Sequence, residues 1–411
     1  MARHKQGYYD VLVVGAGASG CMAAIAAADF GAKVLVLEHK EKIGKKILAT
    51  GNGKCNYTNA DMSLEHYHGN IEMVQRVFEQ FSPADTVRFF KEIGIYPKNK
   101  NGYFYPHSQT ASSVQSALEM EMQRQRVEVI TSVNIRDIAY RDYTYCVDTD
   151  QGQFEAGRMI FAVGLLASPK HGSDGSAFSM IQKFGHEFLP VLPALCGFSA
   201  KGMNFKEAAG IRTEARLSLY CDGPFVAEDT GELQLTDYGV SGIPVFQLSS
   251  MASRALANRQ QVIVSIDFCP DIYEKELYSE LYQRFTNDAR SIESRMNGLF
   301  NPKLIPIFLK KCGIDRGQQA AFLRQMKFDK LMDAIKAYPI ELTAHKGFEH
   351  AQVCTGGLRD DGVDPFTLAS LYQPGLYFAG ELLNVDGICG GYNLQWAWSS
   401  GYVAGKHAAQ P

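Results

Sequence analysis

The feature that most constrains this chain is a glycine-patterned turn near its start, Asp-Val-Leu-Val-Val-Gly-Ala-Gly-Ala-Ser-Gly at residues 10–20. Its apolar beginning is typical of a buried parallel strand, and the Ala-rich run 21–30 is typical of a helix. Gly15 permits the tight turn, Gly17 lets backbone approach a pyrophosphate, and Gly20 lets helix and strand pack closely. The pattern predicts a helix whose first N–H groups face phosphates.

A second strand is predicted at 33–38, and it ends in Glu38. An acid in this place can accept hydrogen bonds from both hydroxyls of an adenosine ribose. Gly31 suits the residue just past the helix end. A glycine pattern alone is weak evidence, but strand, turn, helix, second strand and acid follow here in the required order. We therefore predict a dinucleotide site.

Size and composition exclude several other classes of protein. The 411 residues allow two or three domains, and 46% hydrophobic residues suit a globular chain. The net charge of −3 does not point to nucleic acid or an anionic membrane. No apolar run approaches the roughly 20 residues of a membrane span, and the polar start is unlike a signal peptide.

The nine cysteines are scattered and never form C-x-x-C. This pattern favours reduced thiols and gives no support to a zinc site or a redox-active disulfide. We therefore expect a cytoplasmic protein with no metal, no membrane and no nucleic-acid partner, and we predict no particular oligomeric state.

The order of patterns predicts an α/β fold. Residues 1–192 mix strands and helices, including one helix at 71–93, and residues 343–411 return to strands, glycines and a final helix. Both stretches are assigned to one nucleotide-binding domain.

Two different patterns interrupt that domain. Residues 193–269 alternate apolar and polar side chains, which predicts antiparallel strands. Residues 270–342 follow a helical period, with breaks expected near Pro302 and Pro306. The insertion is therefore predicted to hold a β unit and a helical unit.

A lysine- and glycine-rich segment at 42–56 follows Glu38 directly, which places it beside the adenosine and pyrophosphate. Gly51 and Gly53 would let backbone N–H groups approach a ligand, and Lys54 can neutralise phosphate charge.

Two side-chain types in this segment have competing interpretations. Lys45 and Lys46 fit a solvated surface run as well as a phosphate site. Cys55 fits a packed or cofactor-adjacent thiol better than a nucleophile, because no His or Asp partner lies near it in sequence.

Another glycine cluster precedes the last helix. An apolar strand runs into Gly380 and Glu381, and the pair Gly390-Gly391 opens the helix. In a flavoprotein the carboxylate can bond the ribityl chain or a phosphate-bound water, and the helix N-terminus can face the flavin N1–C2=O edge. The alternative is a loop whose glycines only turn the chain, and the first motif favours the flavin interpretation.

These clusters resemble the motifs of the BaiN-like flavoproteins, which include enzymes described as aminoacetone oxidases. The family patterns G-x-G-x-(S/A)-G, G-(R/K)-K-x-x-x-(S/T)-G-x-G-(R/K)-C-N-x-T-N and A-G-E-x-x-x-x-D-G-x-x-G-G-Y-N-x-Q-x-A match residues 15–20, 44–59 and 379–397. Further similar stretches at 168–175, 231–242 and 355–357 extend the resemblance over essentially the whole chain.

The chain departs from the family in two loops. The usual A-T-G-G is Ala-Val-Gly-Leu at residues 162–165, which removes a hydroxyl and a glycine. Ser168 and His171 replace a tyrosine and a threonine of the family. These departures bear on the substrate more than on FAD.

The resemblance implies a Rossmann-like FAD-binding domain interrupted by a barrel-like antiparallel β unit and a helical unit. Together with the motifs it predicts FAD as cofactor. The predicted cofactor-binding residues are Gly15, Gly17, Ala18, Ser19, Gly20, Glu38, His39, Lys45, Lys46, Gly51, Gly53, Lys54, Cys55, Asn56, Val129, Ala162, Val163, Gly164, Gly380, Glu381, Asp386, Gly391, Tyr392, Asn393 and Gln395.

The sequence contains one G-x-G-x-x-G motif, so a second nucleotide domain is not expected. NAD(P)H would then dock transiently in the substrate cleft, or a substrate would reduce the flavin and oxygen would reoxidise it. We predict an oxidoreductase acting on a small molecule by reduction of a C=C or C=N bond, including bile-acid-like enones. The alternatives are an amine oxidase of the aminoacetone type and a tRNA-modifying or RNA-binding flavoprotein.

The sequence does not single out one catalytic residue. The substrate cleft is expected between the FAD domain and the insertion, and packing roles compete with every assignment. The candidates for catalysis are Tyr103, His107, His171 and Tyr392, and the candidates to line the cleft are Tyr103, Tyr105, His107, Tyr238, Tyr392 and Asn393.

Overall fold

The computed structural model describes residues 7–286 and 288–410. The chain divides into two compact units, one that ends at Leu192 and resumes at Gln352, and a second at Pro193–Ala351. The predicted α/β fold with an interrupted Rossmann-like domain is confirmed.

Strands and helices alternate along most of the first unit. Before its interruption it forms β1 (Tyr8–Val14), α1 (Ala18–Asp29), β2 (Val34–Leu37), β3 (Thr58–Asn59), β4 (Tyr67–Gly69), α2 (Ile71–Gln80), α3 (Pro83–Glu92), β5 (Pro97–Lys100), β6 (Tyr103–Pro106), α4 (Ala111–Arg124), β7 (Glu128–Ile130), β8 (Ile135–Arg141), β9 (Thr144–Thr149), β10 (Gly152–Phe161) and α5 (Phe178–Gln182).

The second unit combines strands with six α-helices among its described residues. After β11 (Leu192–Ala194) at the boundary come β12 (Phe198–Lys201), α6 (Phe205–Ala208), β13 (Arg212–Cys221), β14 (Phe225–Leu235), β15 (Gly239–Gly242), α7 (Ile243–Ala257), β16 (Val262–Asp267), α8 (Glu274–Phe285), α9 (Ile292–Met296), α10 (Leu304–Lys311), α11 (Gln325–Lys336) and β17 (Tyr338–His345). The first unit then continues with β18 (Val353–Thr355), β19 (Leu376–Phe378), β20 (Val385–Gly387) and α12 (Tyr392–Ala409).

The main sheet of the first unit has the order β7-β2-β1-β10-β9-β8, and β19 also pairs with β10. Strand β1 pairs in parallel with β2 on one side and with β10 on the other. After β1 the chain therefore forms β2 on one side of β1, and it later returns to form β10 on the other side. A crevice at the carboxyl ends of such strands is the usual ligand site of an open α/β sheet.

Helices α1 and α12 pack closely because their facing residues are small. A Cβ on Gly401 or Gly405 would overlap the carbonyl oxygen of Ser19 or Ala23, respectively. The last helix of the chain is thereby held against the helix of the first glycine turn.

The predicted single helix at 71–93 is two helices. Helix α2 ends at Gln80, and Ser82 begins α3 with a capping box in which its side chain accepts from the Asp85 N–H. The helical spacing of apolar residues continues across the break between α2 and α3. The spacing alone therefore predicted one helix, and the capping box at Ser82 marks the start of the second.

Strands β12, β15, β14, β13, β16 and β17 form a closed barrel in the second unit. Alternate residues of β13, Ala215, Leu217 and Leu219, are buried as the period-two pattern predicts.

Three details of the predicted insertion were wrong. Helix α7 lies within the stretch predicted to be strands, and Pro306 lies inside α10. Proline is tolerated there because first-turn N–H groups need no intrahelical partner. The predicted boundary at 269/270 also separates β16 from β17, and the one at 342/343 falls inside β17, although β17 closes the barrel after the helices.

Within residues 7–286 and 288–410, none of the helices combines the length and apolar character needed to cross a membrane. The same residues contain no cluster of three His, Cys, Asp or Glu side chains arranged to hold a metal ion.

Candidate flavin site

The three glycines of the first turn differ in their surroundings. A Cβ on Gly15, whose φ is +96°, would lie 2.7 Å from the Ala162 carbonyl oxygen, and one on Gly20 would overlap the Gly15 carbonyl oxygen. A Cβ on Gly17 would meet no heavy atom within 4 Å. Gly15 and Gly20 are therefore required by packing, whereas Gly17 leaves an open space.

That space lies at the N-terminus of α1. Gly17 is the N-cap, no side chain caps the helix, and its first turn contains no acidic residue. The first N–H groups of a helix have no intrahelical acceptor, and the helix dipole favours an anion beside them. An uncapped N-terminus beside open space fits a pyrophosphate.

Glu38 ends β2 and is buried beside this turn. Its Oε2 accepts the Ala16 N–H at 2.7 Å, and its Oε1 accepts the Lys40 N–H at 2.8 Å. Each carboxylate oxygen keeps a second lone pair. The carboxylate thus shapes the turn and retains capacity for the ribose hydroxyls predicted from the sequence. His39, next in the chain, places its Nε2 3.5 Å from Asp174.

The lysine segment lies against the same turn, since the Gly44 N–H donates to the Ala16 carbonyl at 2.7 Å. Lys46 Nζ lies 2.8 Å from Glu381 Oε2, and Glu381 Oε1 accepts the Cys354 N–H at 2.6 Å. Glu381 and Lys46, predicted from distant motifs, are therefore neighbours. Lys45 instead pairs with the exposed Glu41 at 2.9 Å, as a surface lysine does.

His171 lies on this side of the site. Burial, and then the positive charges of Lys170, Lys45, Lys46 and Lys40, lower its pKa. Nearby cations disfavour the protonated form of a histidine. His171 thus lies among lysines, and its role as a catalytic candidate stays a prediction.

The segment after Lys46 forms a 3₁₀ stretch, Ile47–Gly53, with non-helical backbone at Thr50, Gly51 and Asn52. Gly51, Gly53 and Lys54 are exposed. Cys55 is fully buried, and burial raises the pKa of its thiol to about 12, which makes it a packed thiol rather than a nucleophile.

Asn56 has a buried Oδ1 with no hydrogen-bond partner among the described residues. This oxygen lies 3.0 Å from the position of a Cβ on Gly391, the N-cap of α12. Helix α12 also has no side-chain cap and no acid in its first turn. A polar oxygen without a partner beside an uncapped helix N-terminus fits the polar edge of a flavin ring, which carries both donors and acceptors.

Two predicted cofactor residues in α12 have structural roles. The Gln395 side chain is fully buried and bonds Thr58, Thr86 and Ser399. The Asn393 side chain bonds the backbone of Gly387 at 2.9 and 2.7 Å. Their amides hold the loop and helix together, and the prediction that these two residues contact the cofactor stays a prediction.

The remaining predicted cofactor residues lie around the sheet edge. A Cβ on Gly380 would overlap Ser19 Oγ, and a Cβ on Gly164 would lie 2.8 Å from Ser173 Oγ. Asp386 is buried, with an oxygen 3.4 Å from His68 Nδ1. Ala18, Ala162 and Val163 flank the turn, and Val129 lies on β7, where it pairs with Val36.

The aromatic candidates separate into different places. Tyr103 and Tyr392 both border Gly390, since a Cβ there would lie 2.8 Å and 3.0 Å from their rings. Tyr105, two residues along β6, lies near Gly51. His107 is exposed past the end of β6.

Tyr238 belongs to the second unit, where Lys346 Nζ lies 3.9 Å from its ring centroid.

Sequence reasoning missed Asn59 and His66. Asn59 pairs with Tyr103 between β3 and β6, and its Nδ2 donates to the Gly390 carbonyl at 3.0 Å. The His66 ring lies 5.0 Å from that of Tyr392. Asn59 closes the C-N-x-T-N motif, so the motif itself was the available signal.

A Rossmann-like sheet with an open glycine turn at one helix N-terminus and a second uncapped N-terminus at Gly391 defines a dinucleotide-binding flavoprotein. The sequence model described as HI0933-like protein Rossmann domain matches residues 9–407, and the chain belongs to that family. The predicted BaiN-like resemblance is thereby confirmed, and the chain is a flavin-dependent oxidoreductase.

Two curated relatives align over nearly the full length. The chain is 42% identical over 402 residues to the 3-dehydro-bile acid delta(4,6)-reductase of Clostridium scindens, covering 97% of this chain and 98% of the relative. It is 25% identical over 404 residues to the ribosomal RNA dihydrouridine synthase of Haemophilus influenzae, covering 96% and 97%.

Solved structures share the fold. The 3-ketosteroid delta1-dehydrogenase of Sterolibacterium denitrificans superposes with a TM-score of 0.52 at 12% identity, covering 98% of this chain and 99% of the other. The 3-ketosteroid-delta4-(5alpha)-dehydrogenase of Rhodococcus jostii gives a TM-score of 0.50 at 16% identity, covering 99% and 98%.

Proposed function

We propose that this protein is a cytoplasmic FAD-dependent reductase that uses NAD(P)H to saturate a C=C bond conjugated with a carbonyl group in a small polycyclic molecule of the bile-acid type. The observation that carries the proposal is the 42% identity, over 97% of this chain, to a reductase of 3-dehydro-bile acids. The names of two relatives, the bile acid reductase and the dihydrouridine synthase, each describe reduction of a ring C=C bond next to a carbonyl.

The site supports FAD because its two ends suit the two ends of that molecule. Gly17 and the start of α1 would hold the pyrophosphate, Glu38 the adenosine ribose, and the start of α12 with Asn56 the polar edge of the flavin ring. When bound, FAD supplies the hydride that adds to the substrate. Lys46 and Glu381 form an ion pair near the turn and limit the net charge beside the phosphates.

The protein's own contribution is orientation, electrostatic stabilisation and exclusion of water. The N-terminus of α12, which has no side-chain cap, would stabilise negative charge on a reduced flavin ring through its dipole. The aromatic rings of Tyr103 and Tyr392 border Gly390 and add apolar surface next to the N-terminus of α12. Since the sequence has one dinucleotide motif, NAD(P)H is proposed to dock only transiently, in the place that the substrate then takes.

The test is an anaerobic stopped-flow experiment on purified protein. Heat-released cofactor is identified by chromatography, and NADH and NADPH are compared for bleaching of the yellow flavin. The reduced protein is then mixed with a 3-oxo-4,6-diene steroid. We expect FAD, rapid bleaching by one nicotinamide, and reoxidation by the steroid with loss of its conjugated absorbance. A colourless protein, or reduced protein that the steroid leaves unchanged, would contradict the proposal.

A second candidate is reduction of uracil in ribosomal RNA, favoured by the 25% identity to dihydrouridine synthases over 96% of this chain. The net charge of −3 gives it less support. In the same experiment, reoxidation by a uridine-containing ribosomal RNA fragment and not by the steroid identifies this activity. Bleaching by aminoacetone alone would instead indicate an amine oxidase.

A further inference from the structure

The tyrosines at Gly390 allow a residue role to be assigned. Resting on the proposed function, we propose that Tyr103 is the proton donor that completes reduction of the conjugated C=C bond. The bound cofactor, once reduced by NAD(P)H, would supply the hydride for the new C–H bond at the β-carbon as the π bond breaks. The Tyr103 hydroxyl gives its proton to the α-carbon, and water returns a proton to the tyrosinate.

The position of Tyr103 follows from backbone pairing. Asn59 and Tyr103 are partners between β3 and β6, and the Asn59 side chain donates to the Gly390 carbonyl at 3.0 Å. Strand β6 is thus tied to the loop that begins α12. The Tyr103 ring lies 2.8 Å from the place of a Gly390 Cβ, one residue before the N-cap of α12.

The hydroxyl of Tyr103 is available for proton transfer. It has no hydrogen-bond partner among residues 7–286 and 288–410, whereas several other tyrosine hydroxyls, such as those of Tyr67 and Tyr145, are bonded within the protein. The residue is 40% exposed, so solvent can reprotonate it after each turnover.

The neighbouring groups fit the role less well. Tyr392 is 5% exposed, and burial raises its pKa to about 12, which makes it a weaker acid with less access to water. His66 Nε2 lies 3.1 Å from Asp61 and is occupied there. His107 is exposed beyond the strand, and His171 lies with the lysines.

The test separates proton donation from folding, cofactor binding and cofactor reduction. Tyr103→Phe removes only the hydroxyl, and Tyr143→Phe, at a residue 84% exposed in the turn after β8, is the matched control. FAD content and the rate of bleaching by NAD(P)H are measured first. The affinity of the oxidised protein for the enone is then measured from the perturbed flavin absorbance, and the rate of reoxidation by the enone last.

For Tyr103→Phe we expect normal FAD content, bleaching within about twofold of wild type, and enone affinity within about threefold. Reoxidation by the enone should be slower by about 100-fold or more, because a positioned general acid contributes at least that factor. Tyr143→Phe should match wild type in all four measurements.

Reoxidation of Tyr103→Phe at the wild-type rate overturns the inference, as does a comparable loss found only in Tyr392→Phe. A defect confined to enone affinity would assign Tyr103 to binding and also overturns it. Failure of the wild-type protein to reduce any enone is a different result, since it removes the proposed function itself.

Discussion

At the scale of single residues, Glu38 shows how one side chain can serve both fold and site. The dinucleotide motif identified it as a ribose acceptor, but its two oxygens also accept the N–H groups of Ala16 and Lys40. These bonds hold the turn and the start of the lysine segment around one buried carboxylate.

Glu38→Gln should therefore weaken the apoprotein as well as cofactor binding. The amide has one acceptor oxygen, so one backbone N–H faces an NH₂ group, and a buried donor without an acceptor costs about 1–3 kcal/mol. We expect a lower unfolding temperature without FAD and at least tenfold weaker FAD binding by fluorescence titration. Glu41→Gln, at an exposed residue paired with Lys45, is the control and should change neither.

His186 sets a residue-scale dependence of stability on pH. It is 2% exposed, its Nε2 lies 2.7 Å from Ser370 Oγ, and burial lowers its pKa from 6.5 to about 4. Below pH 6.5 the unfolded state binds a proton that the folded state does not, so stability falls as pH decreases toward 4.

His186→Asn should remove this part of the acid dependence. The variant loses ring packing at every pH, but its deficit relative to wild type should shrink by up to about 3 kcal/mol between pH 6.5 and 4. Thermal unfolding of both proteins across that range measures the change. A deficit that stays constant with pH would contradict the assigned protonation.

At the scale of elements, the start of α1 separates packing from ligand binding. A Cβ on Gly20 would overlap the Gly15 carbonyl oxygen, whereas Gly17 faces open space and has a φ of −74° that any residue can adopt. Two substitutions of the same kind should consequently have different effects.

Gly17→Ala should leave the apoprotein's unfolding temperature within about 2 °C of wild type, because its methyl group meets no protein atom. It should weaken FAD binding at least tenfold, since the methyl group occupies the space proposed for the pyrophosphate. Gly20→Ala should destabilise the apoprotein itself by about 1–3 kcal/mol through overpacking. Equal loss of stability in both variants would argue against a ligand space at Gly17.

Strand β16 of the second unit ends in an ion cluster around one buried carboxylate. Asp267 is 5% exposed and lies 2.7 Å from Lys336 Nζ and 3.0 Å from Arg216 Nη2. The cluster joins β13, β16 and α11, which are distant in sequence. Lys336 also donates to the carbonyls of Cys269 and Ile272 and so fixes the loop after β16.

Asp267→Asn should destabilise the protein by about 3 kcal/mol, because it leaves the largely buried ammonium of Lys336 without its counter-charge. The free energy of unfolding in urea gives the change. Glu232→Gln, which breaks the exposed pair with Arg212, should cost well under 1 kcal/mol. Similar losses of unfolding free energy in the two variants would show that the cluster around Asp267 stabilises the protein no more than an exposed ion pair does.

At the scale of the whole molecule, the sequence predicted the interrupted domain well and the insertion less well. The glycine turn, the strand before it and Glu38 form a local unit, and local units are encoded by adjacent residues. The barrel depends on β17, which follows four helices, and periodicity cannot show which strands will pair. Helix α7 was missed because its neighbours in sequence are strands with similar apolar content.

The sequence by itself determined the kind of ligand, since the glycines at 15, 17 and 20, Glu38 and the C-N-x-T-N and G-G-Y-N motifs specify a flavin dinucleotide site. Only the tertiary structure decided which residues of distant segments lie together. It brought Lys46 to Glu381 and Tyr103 to Gly390, and it gave the side chains of Gln395 and Asn393 hydrogen-bond partners within the protein. The physical reason is that backbone turns are set by nearby residues, whereas side-chain contacts across hundreds of residues exist only after the sheet and helices have packed.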